Sequence, residues 1–303
     1  MRTAVIAVAI ALVASTIASA QTAAEWAAVV ANEVRVAPGI TYLTASNWDA
    51  KLDVYRPATP GPHPTLLHIH GGGWTGGSRE SVVLRALPFV QMGFAVVNVS
   101  YRLARVAPAP AAVEDCLCAL KWIAQNAKEY EFDLTRVAVT GYSAGGHLAL
   151  TTGMVPASAG LDRQCPGAPL PQVAAVVNWY GITDVNDLLE GANQRVYAVT
   201  WLGSLEARDT LARRLSPLTY VRRDLPPVLT IHGDADPTVP YNHGTRLHAA
   251  LQSAGAASEL VTIPQGRHGN FPRDQQLRAM QAVRAFLVKH GVLRASPSST
   301  ARP

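Results

Sequence analysis

A serine flanked by glycines at a strand-to-helix junction is the feature of this sequence that most directly suggests chemistry. Ser143 is the centre of a G-x-S-x-G motif that follows the apolar run 136–140 and precedes the helix-like run 147–150. In this context the motif predicts a sharp turn that exposes the serine hydroxyl above a sheet edge, where it can act as a nucleophile. The glycines omit Cβ atoms that would collide with the neighbouring strand and helix. Because the five-residue pattern alone is common, the prediction depends on the groups that accompany it.

A second glycine-rich segment supplies the groups that a serine nucleophile needs for ester hydrolysis. The sequence HGGGW at 70–74 directly follows the apolar run 65–69. Attack on an ester produces a negatively charged oxygen, and removing one backbone or side-chain donor to that oxygen costs roughly 3–4 kcal/mol. We therefore predict an oxyanion hole formed by the N–H groups of Gly72, Gly73 and Ala144. Without the serine motif downstream, a flexible glycine turn would be the preferred interpretation.

An acid and a base follow the serine along the chain. Asp236 lies in the segment 231–240 and His268 in the segment 266–270, each after a strand candidate. The order serine, acid, histidine is the α/β-hydrolase order and differs from those of chymotrypsin and subtilisin. His268 would take the proton of Ser143 and return it to the leaving alcohol, while Asp236 would hold the imidazole in the required tautomer.

Two other aspartates compete with Asp236 for the role of the acid. Asp234 comes immediately after the strand, so we expect its side chain to order the turn through a local Asx-type hydrogen bond. Asp184 also follows a strand and is interpreted as a loop cap. The remaining histidines are expected to have packing or surface roles; they are His63, His68, His70, His147, His232, His243, His248 and His290.

No metal-binding or phosphate-binding pattern accompanies these residues. The His, Cys, Asp and Glu residues do not show metal-ligand spacing. The glycines between 71 and 77 lack the Lys-Ser/Thr ending of a P-loop. The sequence therefore predicts neither a metal nor another cofactor.

These motifs resemble those of serine esterases of the α/β-hydrolase superfamily, close to the acetylxylan/feruloyl esterase-like branch and related to the hormone-sensitive-lipase group. The resemblance also rests on LDVYRP at 52–57, VNVSYRL at 97–103 and VED at 113–115, and it extends from about residue 34 to residue 287. It implies an α/β fold with a mostly parallel eight-stranded sheet flanked by helices, no cofactor, and hydrolysis of carboxylic esters with small acyl groups. The short stretch before residue 34 departs from the hormone-sensitive-lipase pattern, which has a longer N-terminal cap region.

Length and composition fit one exported enzyme domain. The chain has 303 residues, of which 49% are hydrophobic, enough for a sheet covered on both faces. Its first residues show a basic start, a short apolar core and a small-residue cleavage site, as in a secretory signal peptide. We therefore predict a signal peptide (1–20), an N-terminal segment (21–33), a catalytic domain (34–291) and a disordered tail (292–303).

The predicted location is secreted or periplasmic, without stable membrane association once the signal is cleaved. The net charge is +5, and the arginines are scattered along the chain, which argues against nucleic-acid binding. The expected partner is a small-molecule or polysaccharide ester. The sequence does not indicate an oligomeric state.

Three cysteines, Cys116, Cys118 and Cys165, occur in a chain expected to reach an oxidising compartment. Because Cys116 and Cys118 are two residues apart on a predicted helix, they point in different directions and should not bridge each other. Either of them could pair with Cys165, or all three could be free and packed. The sequence leaves these alternatives open.

The hydrophobic pattern alternates strands and helices over the whole domain. The predicted strands are 34–44, 51–55, 65–69, 95–101, 136–140, 173–179, 227–231 and 258–263. The predicted helices are 80–92, 112–127, 144–154, 244–254 and 275–289. A turn at 47–50 predicts a hairpin of the first two strands. The catalytic segments all follow strands, at the edge where α/β sheets bind ligands.

Aromatic residues near the serine and in one insertion are candidates for a substrate pocket. Trp74 ends the oxyanion segment, Tyr142 precedes the serine, and Trp201 lies in the insertion 184–217, which we expect to form a small cap. For Trp201, core packing is an equally good interpretation.

Three functions are compatible with these motifs. The preferred hypothesis is a secreted serine hydrolase that cleaves carboxylic esters with short acyl chains, such as acetyl or feruloyl groups on plant polysaccharide, through an acyl-serine intermediate. An arylformamidase-like amidase or a peptidase would share the elbow and the acid turn, although the superfamily's peptidases carry a propeller for which this chain has no length. A catalytically silent binding scaffold is disfavoured because Ser143 and His268 are both present.

Overall fold

An eight-stranded sheet with helices on both faces positions every catalytic candidate. The computed structural model describes residues 23–165, 167, 169–203 and 207–295. The strands are β1 Val34–Ala45, β2 Trp48–Pro57, β3 His63–Ile69, β4 Ala95–Val99, β5 Phe132–Tyr142, β6 Val173–Trp179, β7 Val228–Gly233 and β8 Ser258–Ile263. The α-helices are α1 Ala23–Glu33, α2 Val83–Gln91, α3 Ala111–Gln125, α4 Ala144–Met154, α5 Val196–Leu202, α6 Arg208–Leu215, α7 Asn242–Ser253 and α8 Arg273–Lys289.

The strands follow the order β1-β2-β4-β3-β5-β6-β7-β8 across the sheet. Strand β2 is antiparallel to both of its neighbours, and all other neighbouring pairs are parallel. The carboxyl ends of β3, β5, β7 and β8 therefore meet at one edge of the sheet, where loops from different parts of the chain can converge. The predicted α/β-hydrolase fold, with a mostly parallel eight-stranded sheet flanked by helices, is confirmed.

The first two strands form the predicted hairpin, but its turn lies earlier than expected. Ala45 pairs directly with Trp48, and Ser46 and Asn47 connect them with φ of 53° each. Two consecutive residues with positive φ are what a type I′ turn requires, and the twist of that turn matches the twist of the paired strands. Residues 48–50, which were predicted to belong to the turn, are part of β2.

The central strands are buried on both faces. Every residue of β3, β4 and β7 is buried, which explains why their sequences lack polar alternation. Adjacent side chains of a strand point to opposite faces, so Leu66 and Leu67 belong to two different core clusters. Helices α3, α4 and α7 contribute to the cluster of Leu67, and α2 and α8 contribute to the cluster of Leu66.

The insertion 184–217 packs against the core instead of projecting from it. It contains helices α5 and α6, in which Ala198, Leu202, Ala212 and Leu215 are fully buried. The small cap expected from the sequence is therefore, in its described residues, an integral layer of the domain.

The ends of the domain differ in part from the predicted boundaries. The predicted signal peptide (1–20) and the last eight residues of the predicted tail lie outside the described residues. Most of the predicted N-terminal segment forms α1. Val292 and Leu293 were predicted to be disordered, but both are buried, and their N–H groups donate to the carbonyl oxygen of Leu287 at 2.9 and 3.1 Å. Because the chain turns back onto the end of α8, the domain extends past residue 291.

A disulfide joins α3 to the loop that follows α4. Cys118 is bonded to Cys165, and Cys116 is a buried free thiol. Lys121, one helical turn further on, donates to the carbonyl oxygens of Asp162 and Cys165 at 3.1 and 2.8 Å. The loop is therefore attached to the Cys118 face of the helix, while Cys116 points into the core. This resolves the pairing that the sequence left open.

We expect the oxidised protein, unfolded in denaturant with an alkylating reagent, to react at one thiol, Cys116, and the reduced protein to react at three. Closing a loop with a sequence separation of 47 residues contributes about 4 kcal/mol to the free energy of unfolding on the chain-entropy estimate. The paired variant Cys118→Ala/Cys165→Ala should therefore unfold at clearly lower denaturant concentration than Cys116→Ala. Three reactive thiols in the oxidised protein would contradict this pairing.

Candidate active site

Ser143 occupies the sharp turn between β5 and α4. Its backbone has φ 56° and ψ −120°, a conformation that costs a non-glycine residue on the order of 1–3 kcal/mol. A Cβ atom on Gly141 would collide with the carbonyl of Gly145, and one on Gly145 would collide with the carbonyls of Ile69 and His70. Only glycine fits at either position, so the spacing of the sequence motif has a steric cause.

The three predicted catalytic side chains form one chain of hydrogen bonds. Ser143 Oγ lies 2.8 Å from His268 Nε2, and His268 Nδ1 lies 2.7 Å from Asp236 Oδ2. Because a carboxylate only accepts hydrogen bonds, Nδ1 carries the imidazole proton and Nε2 has the free lone pair. This is the tautomer in which a histidine can remove the proton of a serine.

The carboxylate of Asp236 is buried and fully supplied with donors. Its Oδ1 accepts hydrogen bonds from the N–H groups of Thr238 and Val239 at 2.8 and 3.0 Å. Its Oδ2 accepts from His268 and lies 3.4 Å from His232 Nε2. Burial alone would raise the pKa of Asp236, but hydrogen bonds from the two histidines and the backbone outweigh it and hold the pKa well below its usual range. The carboxylate therefore stays charged and can stabilise an imidazolium.

Asp234, the alternative candidate for the acid, links the acid loop (234–241, after β7) to the loop after β8 (264–272), which carries His268. Its Oδ1 accepts from the N–H of Gln265 at 2.7 Å, whereas the sequence had suggested a local bond within its own turn. The N–H of Ala235 donates to the carbonyl oxygen of Gly266 at 3.1 Å in the same place. These bonds between the two loops fix the separation at which Asp236 meets its histidine.

The backbone N–H groups that were predicted to form the oxyanion hole are free to donate. Among the described residues, none supplies a hydrogen-bond acceptor to the N–H of Gly72, Gly73 or Ala144. The carbonyl oxygen of Gly72 instead accepts from the N–H groups of Thr75 and Gly76 at 3.1 and 3.0 Å, which holds the loop in a turn. Gly72 and Gly73 have φ of 114° and 58°, conformations that favour glycine.

A cleft of about 530 Å³ opens above the serine. Three tyrosines, Tyr142, Tyr180 and Tyr197, are among the residues that line it. Tyr197 packs against Gly73 in the oxyanion loop (70–77), and its hydroxyl donates to the carbonyl oxygen of Thr238 in the acid loop at 3.3 Å. Tyr197 therefore connects the two loops. The cleft is lined by Gly71, Gly72, Gly73, Thr75, Gly77, Ser81, Val82, Arg85, Tyr142, Ser143, Tyr180, Tyr197, Thr238 and His268.

Comparison with protein families identifies the scaffold around this cleft. The family model BD-FAE matches residues 52–251, well over half of the chain. The chain belongs to the BD-FAE family. The resemblance inferred from the sequence is thereby confirmed: this BD-FAE protein has the features of an α/β-hydrolase serine esterase of the hormone-sensitive-lipase-like group.

Two curated proteins and one solved structure illustrate what this BD-FAE chain is similar to. It is 31% identical over 230 residues to the ethyl acetate hydrolase of Pseudomonas putida, which covers 71% of this chain and 69% of that enzyme. It is 30% identical over 230 residues to esterase LipQ of Mycobacterium tuberculosis, with 72% of this chain and 53% of LipQ covered. The chain thus spans about half the length of LipQ. The thermophilic esterase Est2 of Thermogutta terrifontis is 28% identical with a TM-score of 0.72, and the match covers 86% of this chain and 97% of Est2.

Two of the three aromatic pocket candidates do not line the cleft of this BD-FAE protein. Trp74 and Trp201 are fully buried and stack on each other with their ring centres 4.1 Å apart. His147 of α4 packs edge-on against both rings at 5.0 and 5.5 Å. The two tryptophans are therefore core residues that support the oxyanion loop from behind, and Tyr142 alone of the three reaches the cleft.

Several residues of the site were not singled out from the sequence. Tyr180 packs its ring edge-on against His268 at 4.7 Å, and Tyr197 forms a wall of the cleft. His232 was interpreted as structural, yet its Nε2 lies 3.0 Å from the carbonyl oxygen of Val239 and 3.4 Å from Asp236. Since both neighbours are acceptors, Nε2 must carry the proton, and His232 supports the carboxylate. Its position four residues before Asp236 is the only sequence signal for this contact.

The remaining candidates lie in other surroundings. Asp184 forms an ion pair with Arg246 at 2.7 Å, away from the residues that line the cleft. No group of three or more His, Cys, Asp or Glu side chains in the described part of the chain is arranged to hold a metal ion. None of the helices in the described ranges combines the length and the apolar character needed to cross a membrane.

The two aspartates of the acid loop should respond very differently to replacement by asparagine. We expect Asp236→Asn to lower kcat for p-nitrophenyl acetate by about 10⁴-fold, because an amide can force the histidine into the wrong tautomer. We expect Asp234→Asn to lower it by no more than about tenfold, because an amide oxygen can still accept from Gln265.

The measurement is steady-state kinetics on both variants after thermal melts have shown that they fold. A larger loss for Asp234→Asn than for Asp236→Asn would show that the acid is assigned to the wrong residue.

Proposed function

We propose that this chain is a carboxylic ester hydrolase that acts on short acyl esters through an acyl-serine intermediate. The observation that carries the proposal is the continuous hydrogen-bonded chain from Ser143 through His268 to Asp236, which ends in a cleft beside free backbone donors. Membership of the BD-FAE family and the similarity to several esterases support it.

The proposed reaction uses the side chains in sequence. Ser143 Oγ attacks the ester carbonyl carbon while His268 Nε2 takes its proton, and the new C–O bond leaves a negative charge on the carbonyl oxygen. The N–H groups of Gly72, Gly73 and Ala144 donate to that oxygen. The tetrahedral centre then expels the alcohol, which receives the proton from His268. A water molecule repeats the same steps on the acyl-serine and releases the acid.

The similar proteins support a short acyl group. In this chain Tyr197 lies between Gly73 and Thr238 at one wall of the cleft, and the tryptophan pair packs behind the oxyanion loop. Among the similar proteins, Est2 has been solved with propionate and with butyrate bound, and the Pseudomonas putida relative is an ethyl acetate hydrolase. The substrates that we propose are acetyl and other short acyl esters, with acetyl or feruloyl groups on plant polysaccharide as the carbohydrate candidates.

We also propose that the enzyme works outside the cytoplasm. The signal-like composition of residues 1–20 supports this location, and so does the disulfide between Cys118 and Cys165, because such bonds persist mainly in oxidising compartments.

The test is hydrolysis of p-nitrophenyl acetate, butyrate and octanoate, together with acetylated xylan and methyl ferulate. We expect turnover of acetate and butyrate, little or none of octanoate, and a loss of about 10⁴-fold or more for Ser143→Ala. Ser253→Ala, at an exposed position at the end of α7, is the matched control and should behave as wild type.

Undiminished activity of Ser143→Ala would contradict the proposal. So would turnover of an N-formyl arylamine without turnover of any ester, which would establish the amidase alternative instead.

A further inference from the structure

The cleft contains a fixed positive charge that the proposed ester hydrolysis does not use. We propose that Arg85 binds a carboxylate on the substrate, so that the enzyme prefers monoanionic esters, such as monoesters of dicarboxylic acids or esters of hydroxy acids. This inference rests on the proposed function and names its substrate class.

Arg85 lies in α2 and is held at the wall of the cleft by two contacts. Its guanidinium carbon lies 4.5 Å from the centre of the Tyr142 ring, a cation–π distance, and its Nη1 donates to the hydroxyl of Tyr180 at 3.0 Å. Tyr142 directly precedes Ser143, and the Tyr180 ring packs against His268. Both anchors are therefore neighbours of the reacting groups, and the guanidinium lies on the same wall.

Within the described part of the chain, the charge of Arg85 has no acidic partner. No Asp or Glu lines the cleft, and apart from His268 the guanidinium is the sole ionisable base among its lining residues. Its Nε and Nη2 atoms have no acceptor among the described residues, so the one N–H of Nε and the two of Nη2 remain for a ligand. A carboxylate can accept from a guanidinium in the paired geometry that makes such bonds stronger than those between neutral groups.

Two other arginines near this edge of the sheet are paired with acids, whereas Arg195 donates to backbone carbonyl oxygens. Arg79 contacts Asp53 at 2.9 Å, and Arg102 contacts the buried Asp115 at 2.6 Å. Arg85 differs because aromatic groups fix it in place without neutralising it. An orientation set in advance by the protein reduces the entropy that a ligand contact would otherwise cost.

The carboxylate could be attached to the acyl group or to the alcohol of the ester. The geometry favours neither side, because Arg85 contacts Tyr142 beside the nucleophile and also Tyr180 beside the histidine that protonates the leaving alcohol. Two pairs of substrates separate these arrangements. Monoethyl succinate is compared with ethyl pentanoate for the acyl side, and 3-acetoxypropanoate is compared with butyl acetate for the alcohol side.

The measurement is kcat/KM for the four esters by titration of the released acid at constant pH. In one of the two pairs we expect wild type to prefer the anionic ester by about tenfold or more over its neutral analogue, the size of one charge-assisted hydrogen bond. Arg85→Met should abolish this ratio and Arg85→Lys should retain part of it. Arg278→Met, which removes the same charge from an exposed site on α8, should leave the ratio unchanged. In wild type the preference should fall with added salt.

A wild-type enzyme that turns over neutral and anionic esters equally in both pairs would overturn the assignment of Arg85 while leaving the proposed function intact. Persistence of the preference in Arg85→Met would also overturn it. Absence of turnover with all four esters would overturn the proposed function and, with it, this inference.

Discussion

The close approach of three backbone segments beneath Ser143 is the constraint on which the rest of the site depends. Gly141 and Gly145 contact each other and the carbonyls at the end of β3 so closely that no side chain fits at either position. This contact holds Ser143 in its positive-φ conformation. Strand β3 continues directly into the oxyanion loop, so the packing that exposes the serine also places Gly71 of that loop beside it. The proposed nucleophile and the proposed oxyanion donors are thus positioned by one backbone arrangement.

A second backbone arrangement, in the loops after β7 and β8, positions Asp236 and His268. Hydrogen bonds of Asp234 and Ala235 join the loops after β7 and β8. These bonds hold Asp236 beside His268. Four donors keep the buried carboxylate charged. The Asp236 carboxylate therefore lies behind His268. The cleft exposes backbone N–H donors and the guanidinium of Arg85 to a substrate. This asymmetry makes the site suited to a developing oxyanion and, we infer, to an anionic substrate.

The features that the sequence predicts correctly have a local steric or periodic cause. The glycine spacing around Ser143 and the apolar runs of β3, β4 and β7 have such causes, and so the fold and the positions of the three candidate side chains could be predicted. The sequence does not predict features that depend on contacts between distant segments. An aromatic residue beside a motif does not reveal which way it faces, and Trp74 turned out to stack on Trp201 in the core. The partner of Asp234 and the choice of Cys118 over Cys116 likewise depend on how remote loops dock.

The central claim is that Ser143 is the nucleophile, and covalent labelling tests it most directly. Paraoxon transfers its diethylphosphoryl group to an activated serine oxygen and releases p-nitrophenolate. We predict release of about one equivalent per chain, and a diethylphosphoryl group on Ser143 when the tryptic peptide 137–163 is fragmented in a mass spectrometer. The variant His268→Gln should react far more slowly, because the serine would lose its base. Labelling at Ser158 in the same peptide, labelling at another residue, or no labelling of wild type would contradict the account.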